Sequence, residues 1–129
     1  MAKKIISSGH NVALLRVRNA MIQQAGYEVV TSKESAIVLE IIEKQDFAAG
    51  VLCNSIPIHL RVHLAREIKR LKPALPLIII FSEGEEQQLH ALADHLVPSI
   101  HDAQVLLEAV TKAAGEPDPG LECSYLSAS

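Results

Sequence analysis

Four places in the chain hold residues able to do chemistry: Gly9-His10-Asn11, Cys53, the His59/His63 pair, and Ser82 with Ser99. Cys53 closes an apolar run and stands four residues before Pro57. A thiol there has two readings. With His10 brought in from a neighbouring strand it would gain thiolate character and serve as a redox or metal sensor. Otherwise it is a small buried hydrophobe, and the apolar run before it favours this second reading. His59 and His63 are four residues apart, so on a helix they share a face and offer part of a zinc site. Spacing supplies no third ligand, and a solvated helix face accounts for the pair. His90, His95 and His101 read as surface residues that titrate near neutrality. Ser82 and Ser99 follow apolar runs, where a hydroxyl satisfies the loop locally or binds a small anion. Ser7 to Asn11 has one glycine and no lysine, unlike a phosphate-cradling loop. No nucleophile, base and orienting group fall at usable spacing, so the chain reads as a non-enzyme with no catalytic residue, metal or cofactor assigned.

The elements that position these residues alternate along the chain. Short apolar runs at 3–7, 27–31, 48–53, 77–82 and 95–99 read as strands. Helical spacing predicts helices over 11–26, from a Ser32 or Ser35 cap to Lys44, over 58–71, 85–94 and 102–114. The first of these turns Leu14, Val17, Met21 and Ala25 to one face and stops at Gly26. The third ends at Lys72 to Pro76, because proline cannot continue a helix. In the last, Asp102 caps the start, and Leu106, Val110 and Ala113 face inward. Pro98 suits an edge strand. Five strands alternating with five helices predict a parallel sheet covered on both faces. One domain then spans 1–114, and 115–129 forms a flexible tail in which Leu121 or Tyr125 packs onto the domain.

With 129 residues, half of them apolar and a fifth charged, the chain can bury one real core. A net charge of −3 and a pI near 6.0 give no basic footprint for nucleic acid and no polybasic membrane patch. No apolar stretch is long enough to span a bilayer, and the first ten residues lack a signal-peptide core, so a cytoplasmic location is expected. Cys53 and Cys123 read as free thiols.

Four stretches carry a resemblance to response-regulator receiver domains: QQAGYEVVTS, DFAAGVLCNSIP, REIKRLKPALPLIIIFS and LVPSIHDAQVLLEAV. The resemblance covers about residues 3 to 114. It implies a flavodoxin-like fold, a (βα)5 three-layer sandwich with strand order 2-1-3-4-5 and a site at the carboxyl ends of the strands. Receiver chemistry uses an aspartate nucleophile, an acidic pair that holds Mg²⁺, a lysine, and a hydroxyl that moves on activation. Carried onto this chain, the acceptor falls on Cys53, the acidic pair on Gly9 and His10, the lysine on Ser99 and the aromatic switch on Leu96. Only the hydroxyl is kept, at Ser82. The chain therefore resembles a pseudo-receiver that works without aspartyl phosphorylation. Its partners would be other signalling proteins: a kinase, a receiver or an output protein. Contact, including a homodimer, would use the face of the fourth helix, fifth strand and fifth helix, with Leu89, Leu92, Leu96 and Val105 as its apolar part. The basic run 61–71 and the acidic residues 83–86 read as opposite-sign surfaces suited to such contact. The loop is also similar to the histidine loop of cobalamin-binding domains, without that loop's acidic residue and second glycine.

Overall fold

The computed structural model describes residues 3–99 and 103–117. The elements are β1 (Lys4–Ser8), α1 (Val12–Gln24), β2 (Glu28–Ser32), α2 (Ser35–Lys44), β3 (Ala49–Leu52), α3 (Ile58–Leu71), β4 (Leu77–Phe81), α4 (Glu86–Leu89), β5 (His95–Pro98) and α5 (Ala103–Ala114). All strands are parallel, in the order β2-β1-β3-β4-β5.

The core lies in two layers, one on each face of the sheet. Leu15 and Ile22 of α1 and Leu106, Ala109 and Val110 of α5 pack on Ile5, Val51, Ile78 and Ile80. On the opposite face Val38 and Ile42 of α2, Leu64, Ala65 and Ile68 of α3, and Leu89 pack on Ile6, Leu52, Leu77 and Ile79. Neighbouring strand residues point to opposite faces, so a strand covered on both sides must be apolar throughout. That is why β3 is buried at every position and β4 at every position but its last.

Local chemistry sets the boundaries. Asn11 caps α1 by accepting the Leu14 N–H at 3.0 Å. Pro57 precedes α3, where a missing N–H costs nothing. Gly26 ends α1 with φ +108°, a conformation that side chains disfavour. A Cβ there would also meet the Pro117 ring at 2.8 Å.

Three expectations need correction. The buried residues of α1 are Leu15 and Ile22, while Val17 is 59% exposed. The polar Arg18 and Asn19 sit partly buried beside that stripe, which hides its phase. The fourth helix is a single turn, Glu86–Leu89. The chain leaves it because Asp94 is needed elsewhere: its carboxylate accepts the Leu77 N–H at 2.7 Å. The first strand, expected over 3–7, runs on through Ser8, and both serines are buried, so the loop read from Ser7 begins only at Gly9. The start of the expected tail makes contacts with the domain. The Tyr27 hydroxyl donates to the Gly115 carbonyl at 2.6 Å, and Pro117 lies on Gly26. The expectations for Ile100 to Asp102, including His101 and the Asp102 cap, and for Leu121, Cys123 and Tyr125 fall outside the described residues. Among the described residues no helix is long and apolar enough to cross a membrane.

Candidate functional site

The carboxyl ends of β1, β3 and β4 bring Gly9, Cys53 and Ser82 to one end of the sheet. Cys53 follows β3 directly, and its N–H donates to the Ser8 carbonyl at 2.9 Å. Its thiol is free and 1% exposed. Gly9 is buried against it. A Cβ on Gly9 would lie 3.0 Å from the Cys53 Cβ and 3.1 Å from the Ser55 Oγ, so a side chain there would push both aside. The Ser55 Oγ accepts the N–H groups of His10 at 2.9 Å and Asn11 at 3.1 Å. That fixes the backbone of the loop and leaves the His10 side chain in solvent.

Two arginines frame this end. Arg18 of α1 donates to the Asn54 Oδ1 at 3.0 Å, and the Asn54 Nδ2 donates to the Ser82 Oγ at 3.2 Å. Arg61 of α3 is 1% exposed. Its Nε donates to the Ile56 carbonyl at 2.7 Å and its Nη1 to the Ile80 carbonyl at 2.9 Å. Nη1 and Nη2 also grip the two oxygens of Glu85, each at 2.8 Å. The same Glu85 carboxylate accepts the Ser82 N–H at 2.7 Å.

Burial pushes the Cys53 thiol up, and the nearby charges of Arg18 and Arg61 offset this only in part, so its pKa lies above the ordinary thiol value. A protonated, enclosed thiol is a poor nucleophile and a poor ligand. Partial burial pushes the Glu85 carboxyl up as well, but the Arg61 guanidinium and the Ser82 N–H outweigh it and hold its pKa below the usual glutamate range.

No family model matches the chain, and no curated protein matches it. Solved structures do. A response-regulator receiver domain protein from Clostridium thermocellum superposes with a TM-score of 0.79 at 21% identity, covering 87% of this chain and 94% of that one. A CheY-like receiver domain protein from Methanospirillum hungatei gives 0.78 at 20% identity, over 96% and 99%. The receiver domain of a Pseudomonas aeruginosa sensor histidine kinase, with a magnesium ion coordinated in its active-site cleft, gives 0.79 at 18% identity, over 90% and 100%. The chain has the receiver fold.

On the receiver fold the expected positions are placed as follows. Gly9 and Cys53 touch, and Ser82 joins them through Asn54. Ser99 is beside Ser82, because its N–H donates to the Phe81 carbonyl at 2.9 Å. His10 is not brought to Cys53; the charges that reach the thiol are those of Arg18 and Arg61. His59, His63 and His90 are exposed and His95 is half-buried. Among the described residues no three of His, Cys, Asp and Glu gather into a group able to hold a metal ion. Leu96, where the switch is expected, is half-buried and pairs with Ile79. Leu89 is fully buried and belongs to the core, not to a contact surface. Leu92 and Leu96 pack on one core layer and Val105 on the other. The large hydrophobic side chains exposed among the described residues are Val12, Val17 and Ile37, on α1 and α2.

Sequence reasoning missed Arg18, Asn54, Ser55, Arg61 and Glu85. Arg61 and Glu85 were assigned to opposite-sign surfaces, yet they pair with each other inside the molecule. One signal could have found Glu85. Ser82-x-x-Glu85 is the spacing of a capping box, in which the glutamate reaches back to the N–H of the serine. That half of the box is formed here. Nothing local announces Arg61, whose partners are a loop carbonyl, a strand carbonyl and a glutamate 24 residues away.

Proposed function

We propose that this chain is a receiver-fold signalling module that acts by contact with other signalling proteins and without phosphorylation at its own pocket. Cys53 carries this reading. The acceptor position holds an enclosed, protonated thiol in place of a carboxylate nucleophile. Supporting features surround it. The neighbouring acidic position is Gly9, packed too closely to take a side chain without displacing Cys53 and Ser55. The only carboxylate bound to the Ser82 loop is Glu85 among the described residues, and Arg61 holds both of its oxygens. Receiver-type phosphoryl transfer draws on carboxylate ligands for the metal and a carboxylate nucleophile, and Gly9 and Cys53 supply neither.

Partner contact, whether with a kinase, a receiver, an output protein or a second copy, is assigned to the face of α4, β5 and α5. Leu92, Leu96 and Val105 supply its half-buried apolar edges, and Leu89 supports it from below. Substitutions of the exposed Gln87, His90 and Glu108 of this face, with the charge of each changed, should weaken self-association or partner capture while the fold persists. Unchanged binding across all three would remove this face from the reading.

The pocket is tested by amide spectra recorded before and after Mg²⁺ and beryllium fluoride, beside intact-mass measurement after a small phosphodonor. The expected result is no shift at Gly9, Cys53 or Ser82 and no mass gain. A phosphoryl adduct would overturn the reading.

A further inference from the structure

Arg61 ties together three segments at the carboxyl end of the sheet. Its guanidinium donates to Ile56 in the β3–α3 loop, to Ile80 near the end of β4, and to Glu85 in the β4–α4 turn. β3 ends at Leu52, opposite Ile79, and Arg61 takes up the carbonyl of the next residue of β4. Planar arginine matches carboxylate with two parallel bonds, which fixes angle as well as distance. Glu85 then passes this constraint to the backbone by accepting the Ser82 N–H. Leu89, fully buried at the end of α4, pins the far end of the segment. For Ser82 to move, it must either give up its bond to a carboxylate held in place by Arg61 or draw Glu85 away from a guanidinium that is 1% exposed. A buried charge without its partner is strongly disfavoured, so this motion is suppressed.

We propose that the Arg61–Glu85 pair is a built-in clamp that locks the Ser82–Leu89 segment in one arrangement, so that the surface it presents does not depend on any ligand at the carboxyl end of the sheet. This rests on the reading that the pocket works without a phosphoryl group. It adds the reason that no such group is needed: the chain's own carboxylate already holds the Ser82 backbone.

The test is amide hydrogen exchange of Ser82–Leu89 in the parent protein and in Glu85→Gln and Glu85→Ala, with β1 amides as internal reference. Loss of the charged grip should speed exchange in the segment by about tenfold or more, as expected when a local unit is freed to open, while β1 amides stay unchanged. Rates within about twofold of the parent in both variants would overturn the clamp. Relaxation dispersion on the parent protein gives a check that needs no variant. A flat profile across Ser82–Leu89 supports the clamp, and millisecond exchange there overturns it. Beryllium fluoride with Mg²⁺, added to the parent protein, separates the two claims. Shifts at Cys53 would refute phosphorylation independence, whereas the exchange rates without additive judge the clamp alone.

Discussion

Strand β4 is bracketed at both ends by the same device, built in two strengths. At its start Asp94 accepts the Leu77 N–H and pairs with Lys69. Just past its end Glu85 accepts the Ser82 N–H and pairs with Arg61. Both cations come from α3, one from its first turn and one from its last. The settings differ. Arg61 and Glu85 are 1% and 22% exposed, against 31% and 44% for Lys69 and Asp94. Water screens the second pair and lets either side chain leave. It scarcely reaches the first, where separation would strand a charge. The same pairing of charges therefore acts as a lock at the carboxyl end and as a loose tie at the amino end.

Removing the lock should be the largest effect. Arg61→Met keeps most of the side-chain volume but leaves Glu85 without its cation and the Ile56 and Ile80 carbonyls without a donor. A loss of about 3–5 kcal/mol is expected from breaking a buried pair on one side, read from urea unfolding. A loss below that of Asp94→Asn would erase the contrast between the two ends. Asp94→Asn is next. It keeps an acceptor for the Leu77 N–H and removes the attraction to Lys69, so about 1 kcal/mol or less should go, given the exposure of both groups.

Acid should sharpen the comparison. At Asp94 partial burial works upward, but the Lys69 bond, the Leu77 N–H and nearby positive charge hold its carboxyl below the ordinary aspartate value. Glu85 is held low in the same manner. A carboxylate with a depressed folded pKa stabilises the protein above its unfolded pKa, and that contribution disappears as pH falls through the folded value. Stability should therefore be retained down to about pH 4 and fall below it. The fall should be shallower in Glu85→Gln and in Asp94→Asn than in the parent. Equal acid slopes in all three proteins would show that neither carboxylate is linked to folding. The smallest effect belongs to Lys72 and Asp46, whose aspartate is 98% exposed. Lys72→Ala should be indistinguishable from the parent in urea.

Much of this architecture is legible in the sequence, and for identifiable reasons. β3 and β4 are nearly unbroken apolar runs because both of their faces are covered, and α3 lies between Pro57 and the Lys72-Pro73 stop, so its limits are read correctly. Helix α1 is harder. Polar Arg18 and Asn19 border its buried stripe, and the apolar residues Val12 and Val17 point to solvent. The short α4 is hidden as well, because the continuation to Asp94 keeps helix-forming residues although Asp94 is held by β4. At the site, the place of Cys53 follows from the strand end and from Pro57. Arg61 does not, since long charged side chains are nearly always solvated and its partners are set by tertiary folding.

The end of α5 offers a practical handle. Lys3 donates to the Ala114 carbonyl, Tyr27 to the Gly115 carbonyl, and Pro117 rests on Gly26. These contacts gather the start of β1, the entry to β2 and the exit of α5 at the amino end of the sheet. The lock at Arg61 and the thiol at Cys53 sit at the other end, a strand length of roughly 16 Å away. A reporter, resin or fusion tethered after Pro117 would thus be anchored on the rear of the molecule, leaving the carboxyl-end face open to any incoming protein.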